Sequence, residues 1–176
     1  MSAHRHEPLA RAVILACRQR HLMIATAESC TGGKVAVALT DIAGSSDVVE
    51  RGYVTYSNRA KSEALGIPEG IIERHGAVSV ETACAMAEAA RDRSGADMAV
   101  SITGIAGPGG GTATKPIGLV HFACSGPGDH FAERTREFGD VGRSEVRELA
   151  TEQALKMLLQ AAKSAPAGSQ AAVPTK

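Results

Sequence analysis

Apolar positions change their period several times along the chain. Behind Pro8, Leu9, Val13, Ile14 and Cys17 recur at helical spacing with Arg and Gln between them, which predicts an amphipathic helix. Residues 21–26 form a short apolar run and predict a buried strand, bounded by the small and polar residues 27–33. Helical spacing returns over residues 34–42 through Val35, Ala38, Leu39 and Ile42, with Gly44 placed to stop that helix.

The same alternation continues. Residues 51–57 (RGYVTYS) are β-branched and aromatic and predict a strand. Asn58 is the expected N-cap of a helix that stops at Gly66, and Pro68 fits the first turn of another. Ser79 can cap a longer helix over residues 80–94, with Ala83, Met86, Ala87 and Ala90 on its inner face. A second buried strand is expected at 97–103, then a glycine-dense segment, 104–115, that cannot be regular. Strands at 116–125 and 130–138 flank a Gly-Pro-Gly turn, and an antiparallel pairing is expected for them. Residues 141–162 predict a long helix with Val146, Leu149, Ala150, Ala154, Met157 and Leu158 inward. Helices alternating with strands predict a single α/β domain, a mixed sheet with helices on both faces.

Composition sharpens this picture. Of 176 residues, 44% are hydrophobic but only 3% aromatic, with no Trp, so the core must pack through Ala, Val, Ile and Leu in close helix-on-sheet layers. Lys+Arg and Asp+Glu number 19 each. The resulting zero formal charge argues against sequence-independent nucleic-acid binding, which needs a basic surface. The cysteines, Cys17, Cys30, Cys84 and Cys124, form no CxxC and sit near no histidine pair at zinc spacing, so reduced thiols in a cytoplasmic protein are expected. The N-terminal apolar run, 12–17, is broken by Arg18, Gln19 and Arg20, too short for a signal peptide or membrane span. His4 and His6 are expected to be solvated on a disordered arm rather than to bind metal. The domain is expected to occupy 1–163, and the tail 164–176 to be disordered.

Two stretches carry candidate chemistry. The first, ATAESCTGGKVA (25–36), is not a P-loop: Glu28 stands where the template needs Gly, and Val35 where it needs Ser or Thr. Ser29 is either a nucleophile on a strand–turn–helix corner, where a helix N-terminus favours developing negative charge, or, like Thr31, merely an N-cap. Gly32 and Gly33 would let a substrate approach the backbone. A serine needs a base, and no histidine lies in a suitable motif. A desolvated lysine is the alternative. Lys34 and Lys61 compete: Lys34 falls on another face of its helix, whereas Lys61, one turn into a helix after a strand, can point back over the sheet edge. Tyr56 at that strand's end can orient the lysine or share its proton. Cys30 is either a thiol nucleophile or a small buried hydrophobe. The second stretch, TGIAGPGGGTATKPIG (103–118), begins at the end of a buried strand, where α/β proteins bind ligands and where backbone N–H groups can form an anion nest.

These stretches together resemble the CinA C-terminal domain family, which includes stand-alone nicotinamide mononucleotide (NMN) deamidases of the PncC type. The resemblance is carried by TAESCTGG (26–33), DIAGSS (41–46), RGYVTYSNRAK (51–61) with LG (65–66), HGAVSVETA (75–83), SITGIAGPGGGTATKPIG (101–118) and VRELA (146–150), in the family's order over roughly residues 9–160. It implies a three-layer α/β/α sandwich, a homodimer, and hydrolysis of the NMN carboxamide to nicotinate mononucleotide and ammonia without metal or organic cofactor. The chain leaves no space for the N-terminal domain of full-length CinA, so the stand-alone form is expected. The family's catalytic serine, lysine and tyrosine fall on Ser29, Lys61 and Tyr56. Its arginine falls on Arg143 in GDVGR, with Arg147 as the alternative, because extra residues separate Asp140 from Arg143. The substrate contacts implied are the turn Cys30, Thr31, Gly32 and Gly33 around the oxyanion, and Thr103, Gly104, Gly107, Gly109, Gly110 and Arg143 around the nucleotide. The competing expectation is a non-catalytic nucleotide-binding or regulatory module linked to competence or DNA damage.

Overall fold

The computed structural model describes residues 5–165; His4 and the tail from 166 onward lie outside the described residues. The elements run α1 (Glu7–Arg18), β1 (Ile24–Glu28), α2 (Lys34–Thr40), β2 (Val49–Val54), α3 (Asn58–Leu65), α4 (Glu69–His75), α5 (Val80–Ser94), β3 (Met98–Gly104), β4 (Leu119–Ser125), β5 (Phe131–Glu137) and α6 (Arg143–Ser164), with a short 3-10 turn at Ser45–Asp47. The five strands lie in the order β2-β1-β3-β4-β5. β1 pairs parallel with β2 and β3, while β3–β4 and β4–β5 are antiparallel, which gives the mixed sheet and the late antiparallel pair expected from the Gly-Pro-Gly turn.

The two faces of the sheet are built from different residue sizes. Ile24, Met98, Val100, Ile102, Val120, Phe122 and Cys124 point to one side, under α1, α2 and α6. The opposite face carries Ala25, Ala27, Ala99, Ser101 and Ala123, and α5 lies on it with Ala83, Ala87 and Ala90. Small residues on both partners let α5 approach closely, and Ser101 Oγ donates to the Ala83 carbonyl at 2.5 Å. The fold is therefore three layers, α1/α2/α6 against the sheet and α3/α4/α5 beneath it.

Local differences from the pattern have local causes. The first strand begins at Ile24 rather than 21, because Leu22 N–H closes α1 on the Cys17 carbonyl and His21 takes a left-handed φ of 55°. β2 starts and ends earlier than expected, at Val49 and Val54. Ser57, not Asn58, caps α3: its hydroxyl accepts from Ala60 N–H at 3.0 Å. Ser79 caps α5 as expected, accepting from Thr82 N–H. β4 starts at Leu119 because Gly118, at φ 87°, packs so tightly on Gly139 that a Cβ would meet the Gly139 carbonyl oxygen at 2.3 Å. On α6, Leu149 is only half-buried, while Leu155, Ala161 and Ala162 join the inner face. Among the described residues, no helix is long and apolar enough to cross a membrane.

Candidate active site

The carboxyl ends of the parallel strands converge on one corner. β1 ends at Glu28 and delivers Ser29, β2 runs into Thr55 and Tyr56, and β3 ends at Thr103 and Gly104. The strand before Ser29 is buried at every position, and Ser29 N–H donates to the Ile102 carbonyl of β3, so the nucleophile candidate is fixed by the sheet itself.

Lys61 reaches the same point from α3. Because Ser57 starts that helix, Lys61 and Leu65 fall on one inward face, and both are buried. Lys61 is 1% exposed, and its Nζ lies 3.1 Å from Ser29 Oγ and 2.8 Å from the Thr55 carbonyl oxygen. Burial lowers the pKa of this amine below its ordinary value of 10.5. Lys34 points elsewhere. It pairs with Glu148 of α6, which also holds His6 Nε2 at 2.7 Å. His6 is thus not solvated: it ties the start of α1 to α6.

The first turn of α2 is occupied by the residue before the serine. Glu28 is fully buried, and its carboxylate accepts from Gly33 N–H (3.0 Å), Val35 N–H (3.1 Å) and Ala36 N–H (2.9 Å). Gly33 occupies the N-cap position with no side-chain cap of its own. Neither Ser29 nor Thr31 caps α2, and the helix N-terminus is satisfied by Glu28 rather than left open to substrate. A helix whose cap position is glycine needs an acceptor from elsewhere. An acid five residues before that glycine was the sequence signal for Glu28, and it was missed.

The cavity at this corner holds about 240 Å³. Ser29, Cys30, Tyr56, Lys61, Thr103, Gly104, Gly107, Gly109, Gly110 and Arg143 all line it, alongside Ala77, Val78, Ile105 and Ala106. Thr31, Gly32 and Gly33 are not among its walls. Thr103 Oγ1 donates to the Ala77 carbonyl at 2.7 Å and ties β3 to the far wall. Lys115, on the descending limb of the glycine segment, donates to the carbonyls of Val78 and His75 and pins the loop across the cavity.

The two arginines separate. Arg143, the first residue of α6, donates to the Gly107 carbonyl at 2.8 Å and to the Tyr56 hydroxyl at 2.6 Å, at the cavity mouth. Arg147, one turn later, lies behind the turn and donates to the carbonyls of Cys30 (3.1 Å) and Thr31 (2.8 Å). Tyr56 is 59% exposed, and its hydroxyl is bonded to Arg143, with no hydrogen bond to Lys61 or Ser29. The Cys30 thiol is pushed up to about 12 by burial, which argues against a thiolate nucleophile. Among the described residues, no group of three or more His, Cys, Asp or Glu is placed to hold a metal ion.

Comparison with known proteins agrees on one family. The family model "CinA C-terminal domain" matches residues 6–162. A "CinA-like protein" of Synechococcus sp. (strain RCC307) is 49% identical over 153 residues, 86% of this chain and 36% of the relative. A "putative competence-damage inducible protein" of Symbiobacterium thermophilum is 48% identical over 161 residues, 86% of this chain and 37% of the relative. The chain thus spans about a third of the length of these curated relatives. Among solved structures, the competence/damage inducible protein CihA from Agrobacterium tumefaciens matches with a TM-score of 0.86 and 50% identity, covering 88% of this chain and 93% of that one. A CinA superfamily protein from Escherichia coli matches at 0.83 and 36% identity, covering 88% of each. With that family model spanning nearly the whole described chain, this protein belongs to the CinA C-terminal domain family.

Proposed function

We propose that this corner hydrolyses a carboxamide, and that its substrate is NMN. The observation that carries the reading is the contact between a buried lysine and a serine, Lys61 Nζ to Ser29 Oγ at 3.1 Å, with the amine's pKa lowered by desolvation. A neutral amine at that distance accepts the hydroxyl proton as Oγ attacks the amide carbon. The proton then passes from Lys61 to the nitrogen, the C–N bond breaks, and ammonia leaves. Lys61 next takes a proton from water, which attacks the acyl-enzyme. The carboxylate product departs and Ser29 regains its proton.

The walls suit the nucleotide half. Ala77, Val78, Ile105 and Ala106 offer apolar surface to a pyridine ring. With Lys61 neutral, Arg143 is the cation of the lining, and no carboxylate is among the lining residues to repel a phosphate monoester. The glycines at 107, 109 and 110 allow close backbone approach to phosphate oxygens.

Ammonia release from NMN by the purified chain tests the reading. Turnover that vanishes in Ser29→Ala supports it, and equal rates in the two proteins sink the serine mechanism. The names of the relatives speak of competence and damage rather than of an activity. A regulatory nucleotide-binding module built on the same cavity would instead raise Tm with pyridine nucleotides and release no ammonia.

A further inference from the structure

The turn after the nucleophile has a polarity that Arg147 sets. Three peptide units follow Ser29 in succession. The Ser29 carbonyl accepts from Gly32 N–H at 3.0 Å, closing a four-residue turn. The Cys30 carbonyl accepts from Arg147 Nε at 3.1 Å, and the Thr31 carbonyl from Arg147 Nη2 at 2.8 Å. In a planar trans peptide the C=O and N–H point in opposite directions. Fixing the Ser29 and Cys30 carbonyls toward Gly32 and Arg147 therefore fixes the Cys30 and Thr31 N–H groups in the opposite sense. Among the described residues those two N–H groups have no acceptor, whereas Gly32 N–H is used by Ser29 and Gly33 N–H by Glu28. Thr31 is fully buried and its hydroxyl also lacks a partner.

We propose that Arg147 is a positioning residue for the oxyanion site: its planar guanidinium grips the Cys30 and Thr31 carbonyls from behind the turn, which fixes the Thr31 N–H directly and, through the Gly32 N–H that closes on the Ser29 carbonyl, the Cys30 N–H offered to the oxygen that develops when Ser29 attacks. The donors must be in place before the charge appears, since their contribution depends on preorganisation. A guanidinium supplies two donors in a fixed fork, which orients two peptide planes at once, and its charge polarises both. The position one turn earlier on α6, Arg143, points into the cavity mouth instead, so one helix serves substrate binding with one arginine and the oxyanion site with the next.

The inference rests on acyl transfer at Ser29, and its test separates the two. Two readouts are needed: steady-state ammonia release from NMN, and the rate at which a fluorophosphonate labels Ser29, since that probe places its phosphoryl oxygen where the oxyanion would form. Arg147→Met is expected to lower kcat about 10²-fold, the cost of misplacing a reacting group by about an ångström, while KM stays within about 3-fold. Labelling of Ser29 is expected to slow in parallel. Arg147→Lys, which can hold one carbonyl but not two, is expected to lose about 10-fold in both readouts, and it carries the test if Arg147→Met does not fold. A KM that rises with kcat unchanged, unchanged kinetics, or labelling at the wild-type rate would each overturn the role. So would a wild-type Ser29 that the probe does not label. If the wild type releases no ammonia from NMN but its labelling depends on Arg147, the NMN reading falls and the positioning role stands.

Discussion

Lys61 approaches Ser29 from inside the fold, 3.1 Å away, with its other hydrogen bond to the Thr55 carbonyl, the residue just beyond the end of the neighbouring strand. The amine is thus aimed by backbone on one side and presented to the hydroxyl on the other, in a site where burial favours its neutral form. Activity should require that neutral form. Its fraction rises with pH, so kcat/KM is expected to climb through the Lys61 pKa and to level off at a pH below the ordinary lysine value of 10.5. Lys61→Arg should not recover at any pH, since a guanidinium stays protonated throughout. A rate–pH profile for NMN hydrolysis, with Lys61→Met and Lys61→Arg beside the wild type, checks both statements. A flat profile would remove Lys61 from the proton transfer.

Glu28 should matter first to stability. Its fully buried carboxylate takes three N–H groups at the start of α2, and Glu28→Ala would leave all of them without an acceptor. The expected loss is about 2–4 kcal/mol of unfolding free energy, measured by urea denaturation. Glu28→Gln keeps one acceptor oxygen but turns an NH₂ group toward N–H donors, so it should fall between the two. An Ala variant as stable as the wild type would contradict this account of the turn.

The layered fold was legible because its signals are periodic and local: Ser79 before α5, the Gly-Pro-Gly turn before β5, and the glycine-dense segment between β3 and β4 each state their role within a few residues. Lys61 was legible for a similar reason, lying one turn into a helix that directly follows a strand. The first strand slipped because Leu22 N–H is taken by α1, a bond that apolar spacing does not report. The site was less legible where it depends on partners far away in sequence. Arg147 meets Cys30 across 117 positions, and Lys34 meets Glu148 across 114, so neither the support behind the turn nor the partner that holds Lys34 could be read from spacing.

Arg143 and Tyr56 should separate in kinetics, although they touch. Arg143 bridges Tyr56 and the Gly107 carbonyl at the mouth, and under the proposed function it is the cation that would meet the phosphate. Arg143→Met is expected to raise KM for NMN about 10–100-fold, the range for losing a hydrogen bond to a charged group, with a smaller change in kcat. Tyr56 is mostly solvent-exposed, and its hydroxyl accepts from Arg143 rather than from Lys61. Tyr56→Phe should therefore leave kcat within about 5-fold, as for an exposed polar pair. A loss in kcat comparable to that of Lys61→Met would instead make Tyr56 part of the proton path.

Cys30 offers a final discrimination, because it stands next to Ser29 and lines the same cavity. The residue is 5% exposed, and its thiol is pushed up to about 12 by burial. At pH ~8 it therefore stays in the thiol form, whereas the thiolate is the reactive one. Iodoacetamide should therefore leave ammonia release intact under native conditions, and Cys30→Ala should remain active, since the groups this residue offers the mechanism are its backbone N–H and carbonyl. Cys84, half-buried and pushed up to about 11, should also resist alkylation at that pH. Mass spectrometry after alkylation identifies which thiol reacts. Inactivation tracking a mass shift on Cys30 would mean that the thiol is more accessible than the fold allows, and would reopen the choice of nucleophile between two adjacent residues.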